Sequence, residues 1–319
     1  MRLICQEVDA LGVLQLYKFS DERLLTGVSL NYRPRPEAVV RVDQNASCLF
    51  GDCVTLSAMN SCNDFTPKFI EVPPLKPLQV EFVPLVDDAR FSLRTELGTL
   101  LDSLYLYGSV SRASAQLGQS DLDLTLILTR PLSAQESHSL ECSRIDLEAR
   151  HPEVSKVDFD IGIRQDVLNP ANINSWGYWL KYECRCIYGA DAGLQFPDFL
   201  PSKAIAEAVN GDYLQALSDY GKRIANANTH AEMQRLQKEA ARKLVRATNV
   251  LRAATDNFWP RTLEDYVRNF SVHHPEMAEQ ISFFLRHAQT PSGSSTVFIE
   301  NLYAFTNWMQ HHQSQCNSA

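Results

Sequence analysis

Residues 104 to 128, LYLYGSVSRASAQLGQSDLDLTLIL, constrain this chain more than any other segment, because they join a glycine-serine turn to two aspartates spaced by one residue. Leu104, Tyr105, Leu106 and Tyr107 read as a buried strand, and Gly108 ends it where the backbone has to turn sharply. Ser109 opens a short helix, whose unpaired first-turn N–H groups suit a phosphate oxygen together with the serine hydroxyl. Arg112, one turn on, adds a positive charge. Eleven residues separate Ser109 from Asp121, enough for the helix and a loop carrying Gly118. A second strand then begins with Asp121-Leu122-Asp123-Leu124.

Residues i and i+2 of a strand share a face, so Asp121 and Asp123 project together while Leu122 and Leu124 turn to the core. Two adjacent carboxylates repel each other, and a divalent cation removes the repulsion. Mg²⁺ in particular takes one or two carboxylates plus waters and substrate phosphates. The alternating segment Lys156-Val157-Asp158-Phe159-Asp160-Ile161 supplies further carboxylates on one face. Laid beside the first strand at about 4.8 Å, either Asp158 or Asp160 would complete a site for two ions about 3.5 to 4 Å apart.

The order of Gly-Ser, an eleven-residue interval, Asp-hydrophobic-Asp-hydrophobic and a later hydrophobic-Asp-hydrophobic strand resembles the nucleotidyltransferase domain of the DNA polymerase β superfamily. That superfamily includes aminoglycoside adenylyltransferases, minimal bacterial nucleotidyltransferases and RNA tailing enzymes. Gly108, Ser109, Asp121 and Asp123 match its pattern, and the resemblance spans roughly residues 88 to 192. For the third carboxylate it favours Asp158, in Val157-Asp158-Phe159, with Asp160 the second choice. It implies an α/β nucleotidyltransferase domain, a mixed sheet flanked by helices, and transfer of AMP from ATP to an acceptor hydroxyl with release of pyrophosphate. Two Mg²⁺ ions are implied, with Asp121, Asp123 and Asp158 as ligands. It also implies a basic residue from a second domain on the triphosphate, for which Arg242, Lys243 and Arg246 are the candidates.

Composition bears on the partners. With 30 basic and 38 acidic residues the net charge is −8, which argues against a surface built as a whole to bind a polyanion. From residue 222 to 268, however, basic residues outnumber acidic ones two to one, either as a local binding face or as solvated helix surface. No apolar run of 18 residues occurs, and Met1 is followed too soon by Glu7 for a signal peptide, so a cytoplasmic protein without membrane association is expected. The eight cysteines then read as reduced thiols. Cys48, Cys53 and Cys62 lack a fourth ligand at zinc spacing, and Cys184 and Cys186 read as packing positions.

Three parts are expected. Residues 1–85 alternate β-branched and aromatic runs with turn residues, as a small β-rich module would, and Pro73, Pro74, Pro77 and Pro84 mark an extended connector. In residues 86–200, a helix capped by Asp87 or Asp88 with Phe91, Leu93, Leu97, Leu100 and Leu101 on its apolar face precedes the first strand. A second helix over 133 to 149 follows the aspartate pair. Residues 201–319 form an all-α domain, with helices over 204–226, 231–255, 261–270, 275–288 and 296–312. Tyr188 reads as core packing rather than a base-stacking ring, and His273 and His274 as surface or capping residues.

The acceptor stays open between classes. A cationic small molecule fits the acidic chain. RNA or protein, as in tRNA-modifying or toxin–antitoxin enzymes, fits the basic stretch and the extra N-terminal module. A non-catalytic nucleotide-binding regulator is the third reading, and the intact carboxylates argue against it.

Overall fold

The computed structural model describes residues 18–19 and 68–316. Of residues 1–85, expected as a β-rich module, the described ones are 18–19 and 68–85; Cys48, Cys53 and Cys62 lie outside the described residues.

A mixed sheet organises the first half. Its strands are β1 (Lys18–Phe19), β2 (Leu101–Tyr107), β3 (Leu122–Leu128), β4 (Val157–Ile163) and β5 (Arg185–Gly189), in the order β1-β4-β3-β2-β5. The β3–β4 pair is parallel and the other pairs are antiparallel. Period-two alternation divides the side chains: Leu122, Leu124, Leu126, Val157 and Phe159 join Leu104 and Leu106 in one core. Helices α1 (Val83–Leu97) and α3 (Ala134–Arg150) close it with Leu85, Ala89, Leu93, Leu97, Leu140 and Leu147. On the other face, Tyr105 and Ile127 pack with Val167, Trp176 and Leu180 from an irregular segment. That segment runs through the one-turn α4 (Arg164–Val167) and two π-helical turns, Ile173–Gly177 and Trp179–Glu183. Trp176 approaches so closely that a Cβ on Gly162 would lie 2.8 Å from its ring. Burial on both faces explains why β3 reads as a nearly continuous apolar run after Asp123.

Two expectations about the start of this region need correction. Pro84 is not part of an extended connector; it sits in the first turn of α1, where its missing N–H has no helical partner to lose. The helix therefore starts before Asp87 and ends at Leu97, and its buried stripe omits Phe91, which is exposed. Leu100 lies in a 3-10 turn and Leu101 begins β2. The segment before α1 is tied down: Ile70 N–H donates to Phe199 O at 2.8 Å, and the Gln79 amide bonds both backbone groups of Ala115.

The helix after the aspartate pair is capped by Ser133, whose hydroxyl accepts from Glu136 N–H while Glu136 accepts from Ser133 N–H. Within α3 the buried Arg144 pairs with Glu141 at 2.7 Å and with Glu148, and Glu148 accepts from Val157 N–H at 2.7 Å. This chain of contacts fixes the first residue of β4, one before Asp158. Arg144→Met would leave the carboxylates of Glu141 and Glu148 without their cation. Because both are partly solvated, the expected loss is about 2 kcal/mol, below the range for a fully buried pair. Urea unfolding measures it.

The second half is helical. Its helices are α5 (Lys203–Asn210), α6 (Tyr213–Ala225), α7 (His230–Ala247), α8 (Leu263–His273), α9 (Ala278–Gln289) and α10 (Ser295–Cys316). The expected helix 204–226 is broken between Asn210 and Tyr213, and 231–255 ends at Ala247 in a 3-10 turn over Thr248–Leu251. Leu236, Ala240, Leu244, Phe284, Phe298 and Phe305 form the core, with α7 packed between α6 and α9. His274 is not a surface residue. It ends α8 as expected of a cap, but it is buried among Phe270, Trp308 and His312, and burial lowers its pKa, helped by His312. Tyr188 packs against the sheet core under the Arg94 guanidinium. No helix among the described residues is long and apolar enough to cross a membrane.

Candidate active site

Parallel pairing builds the site. Because Leu122 pairs with Val157 and Asp123 with Asp158, Asp123 stands beside Asp158, and Asp121 and Lys156, each one residue before its strand, stand beside one another. Asp121, Asp123 and Asp158 each offer a carboxylate oxygen, and the three oxygens lie within 4.8 Å of one another. Hard oxygen donors at this separation suit a divalent cation such as Mg²⁺. Asp158 is buried, whereas Asp121 and Asp123 are partly open.

Asp160 lies one pleat further along β4 and is engaged differently. It accepts a 2.6 Å hydrogen bond from Tyr107 Oη. Burial drives the Tyr107 pKa up, and the charges of Asp160 and Asp123 push in the same direction, so the phenol stays a donor. The structure thus brings Asp158 into the carboxylate cluster and places Asp160 on a tyrosine beside it.

Gly108 ties the turn to the carboxylates. Its φ is +72°, and a Cβ there would lie 1.9 Å from Asp123 Oδ2. Ser109 follows in the single-turn helix α2 (Gly108–Ser111), and its carbonyl accepts from Ser114 N–H. Arg112 stands beyond that turn, 3.8 Å from Glu183.

Lys156, which the motif does not mark, also belongs to the site. Its ammonium is 2.7 Å from Asp158 Oδ2 and 3.6 Å from Asp121 Oδ2. Burial alone would lower the lysine pKa, but the charges of Asp158 and Asp121 outweigh it and raise the pKa, keeping the group an ammonium. The Asp121 pKa is raised, first by burial and then by Asp158 and Glu239, against the opposing pull of Lys156 and a hydrogen bond from Ser155. The spacing of Lys156 two residues before Asp158 was the available signal, because on a strand it implies a shared face.

Helix α7 contributes a second layer of charge. Arg242 lies within electrostatic reach of Asp121, Arg112 and Arg246, and its pKa is lowered by burial and then by Arg246. Lys238, one turn earlier and also unanticipated, is lowered by burial and by Arg242, with Asp121 opposing. Arg242 Nε also donates to Ala288 O at 3.3 Å. Lys243 is directed elsewhere, onto Asp212 at 2.6 Å. Of the three basic candidates, then, Arg242 is within electrostatic reach of Asp121 and of Arg246, and Lys243 is engaged with Asp212 in the loop before α6.

Neither the protein-family models nor the curated proteins compared with the chain give a match. Among solved structures, the chain is similar to spectinomycin adenyltransferase AAD(9) from Enterococcus faecialis, determined with ATP and spectinomycin. The two share 15% identity over 72% of this chain and 98% of the other, with a TM-score of 0.48.

Proposed function

We propose that this protein is a metal-dependent nucleotidyltransferase that moves AMP from ATP to an acceptor hydroxyl. The observation that carries the reading is the clustering of Asp121, Asp123 and Asp158 against Gly108, which joins the aspartate pair, the later strand carboxylate and the glycine-serine turn into one site. Each of these is a separate part of the motif that resembles the DNA polymerase β superfamily.

A divalent ion bound by Asp121 and Asp123 would neutralise charge on the triphosphate and the leaving pyrophosphate. The Ser109 hydroxyl and the N–H groups of the turn would hold terminal phosphate oxygens. Arg242 and Arg246, with Arg112 and Lys238, would offset charge on the same group; Lys243, paired to Asp212, has no part in this reading. The acceptor oxygen attacks the α-phosphorus and forms a new P–O bond. The bond from the α-phosphorus to the bridging oxygen of the β-phosphate breaks, pyrophosphate leaves, and the hydroxyl proton passes to a carboxylate oxygen of Asp158.

The acceptor proposed is a cationic small molecule, since the chain carries a net charge of −8, which attracts a cation and repels a polyanion. The test is cell extract incubated with the protein and α-labelled ATP, then separated into small molecules, RNA and protein. Label in the first fraction supports the reading. Label confined to RNA or protein moves the acceptor to that class.

A further inference from the structure

We propose that Lys156 is a fixed counter-cation of the carboxylate cluster: the site admits one divalent ion, on Asp121 and Asp123, and keeps an ammonium beside Asp158 where a second ion would sit. This rests on the metal-site reading above and replaces the two-ion expectation.

Asp123 and Asp158 are register partners on β3 and β4, and Asp121 and Lys156 stand immediately before those two strands, where Leu122 N–H donates to Lys156 O at 2.9 Å. Lys156 is no surface lysine passing over the site. Its side chain is 15% exposed, its partner Asp158 only 10%, and the shorter of its two contacts is to that buried carboxylate. A buried charge is costly to strip of its partner. A divalent ion entering beside Asp158 would have to expel the ammonium or sit next to it as a like charge, and both are unfavourable. Asp121 and Asp123 are more open, and Lys156 reaches Asp121 at only 3.6 Å, so the outer side of the cluster stays available to a metal ion. The lysine holds Asp158 through Oδ2.

The experiment is a titration of the full chain with Mn²⁺, the unbound ion being counted by electron paramagnetic resonance. Wild type should bind one ion, Lys156→Met two, and Lys156→Arg, which retains a cation, one. Two ions in wild type, or equal counts in wild type and Lys156→Met, overturns the proposal. Lys156→Gln carries the same expectation as Lys156→Met and serves if the methionine variant does not fold. Asp123→Asn separates the underlying readings. Loss of the ion there, with equal counts in wild type and Lys156→Met, overturns the role of Lys156 alone. An unchanged count in Asp123→Asn overturns the metal site, and this inference with it.

Discussion

Asp123→Asn, and Asp121→Asn likewise, should lower nucleotidyl transfer by at least a hundredfold to a thousandfold, roughly the scale for removing one preorganised electrostatic group at a reacting centre. Mg²⁺-dependent ATP binding should fall with it. The fold should survive, because three clustered carboxylates repel one another and losing one charge relieves that repulsion. Circular dichroism and calorimetry with ATP and Mg²⁺ separate the two effects. Asp158→Asn should differ: turnover disappears while ATP binding largely persists, since this residue serves the acceptor side. Should Asp160→Asn produce that pattern instead, the third carboxylate is the one bonded to Tyr107.

Gly108→Val should abolish binding of ATP with Mg²⁺ while every carboxylate is still present. Two effects combine. A left-handed backbone costs a non-glycine residue roughly 1–2 kcal/mol, and at φ +72° this position is left-handed. More serious is the position of the new Cβ, 1.9 Å from Asp123 Oδ2, so Asp123 must leave its place in the cluster. Gly108→Ala carries the same Cβ and should lose most of the affinity too. That distinguishes displacement of Asp123 from simple crowding of the phosphates by a branched side chain. Normal calorimetric affinity in the alanine variant would detach the turn from the site.

Legibility from sequence followed the physics of strands. The two-residue period placed Asp121 and Asp123 on one face and their leucines in the core, and the structure has that arrangement. It could not choose between Asp158 and Asp160, which share a face. That choice depends on inter-strand register, set by long-range pairing, and the register places Asp158 beside Asp123. Lys156 was missed because a lysine before a strand reads as a solvated start. Pro84 was misread because proline disfavours helix interiors but suits a first turn. In residues 173 to 183 the α-helical period gives no signal, since the backbone there makes two π-helical turns, Ile173–Gly177 and Trp179–Glu183. The separation of Lys243 from Arg242 and Arg246 depends on which face α7 turns inward, and the Asp212 contact that captures Lys243 comes from the loop before α6.

The most direct measurement compares ATP labelled at the α-phosphate with ATP labelled at the γ-phosphate, each incubated with cell extract and either wild type or Asp123→Asn. Nucleotidyl transfer predicts that α label joins an acceptor, that γ label leaves as pyrophosphate, and that Asp123→Asn does neither. Transfer of the γ label to an acceptor, or equal α transfer by wild type and Asp123→Asn, would contradict it.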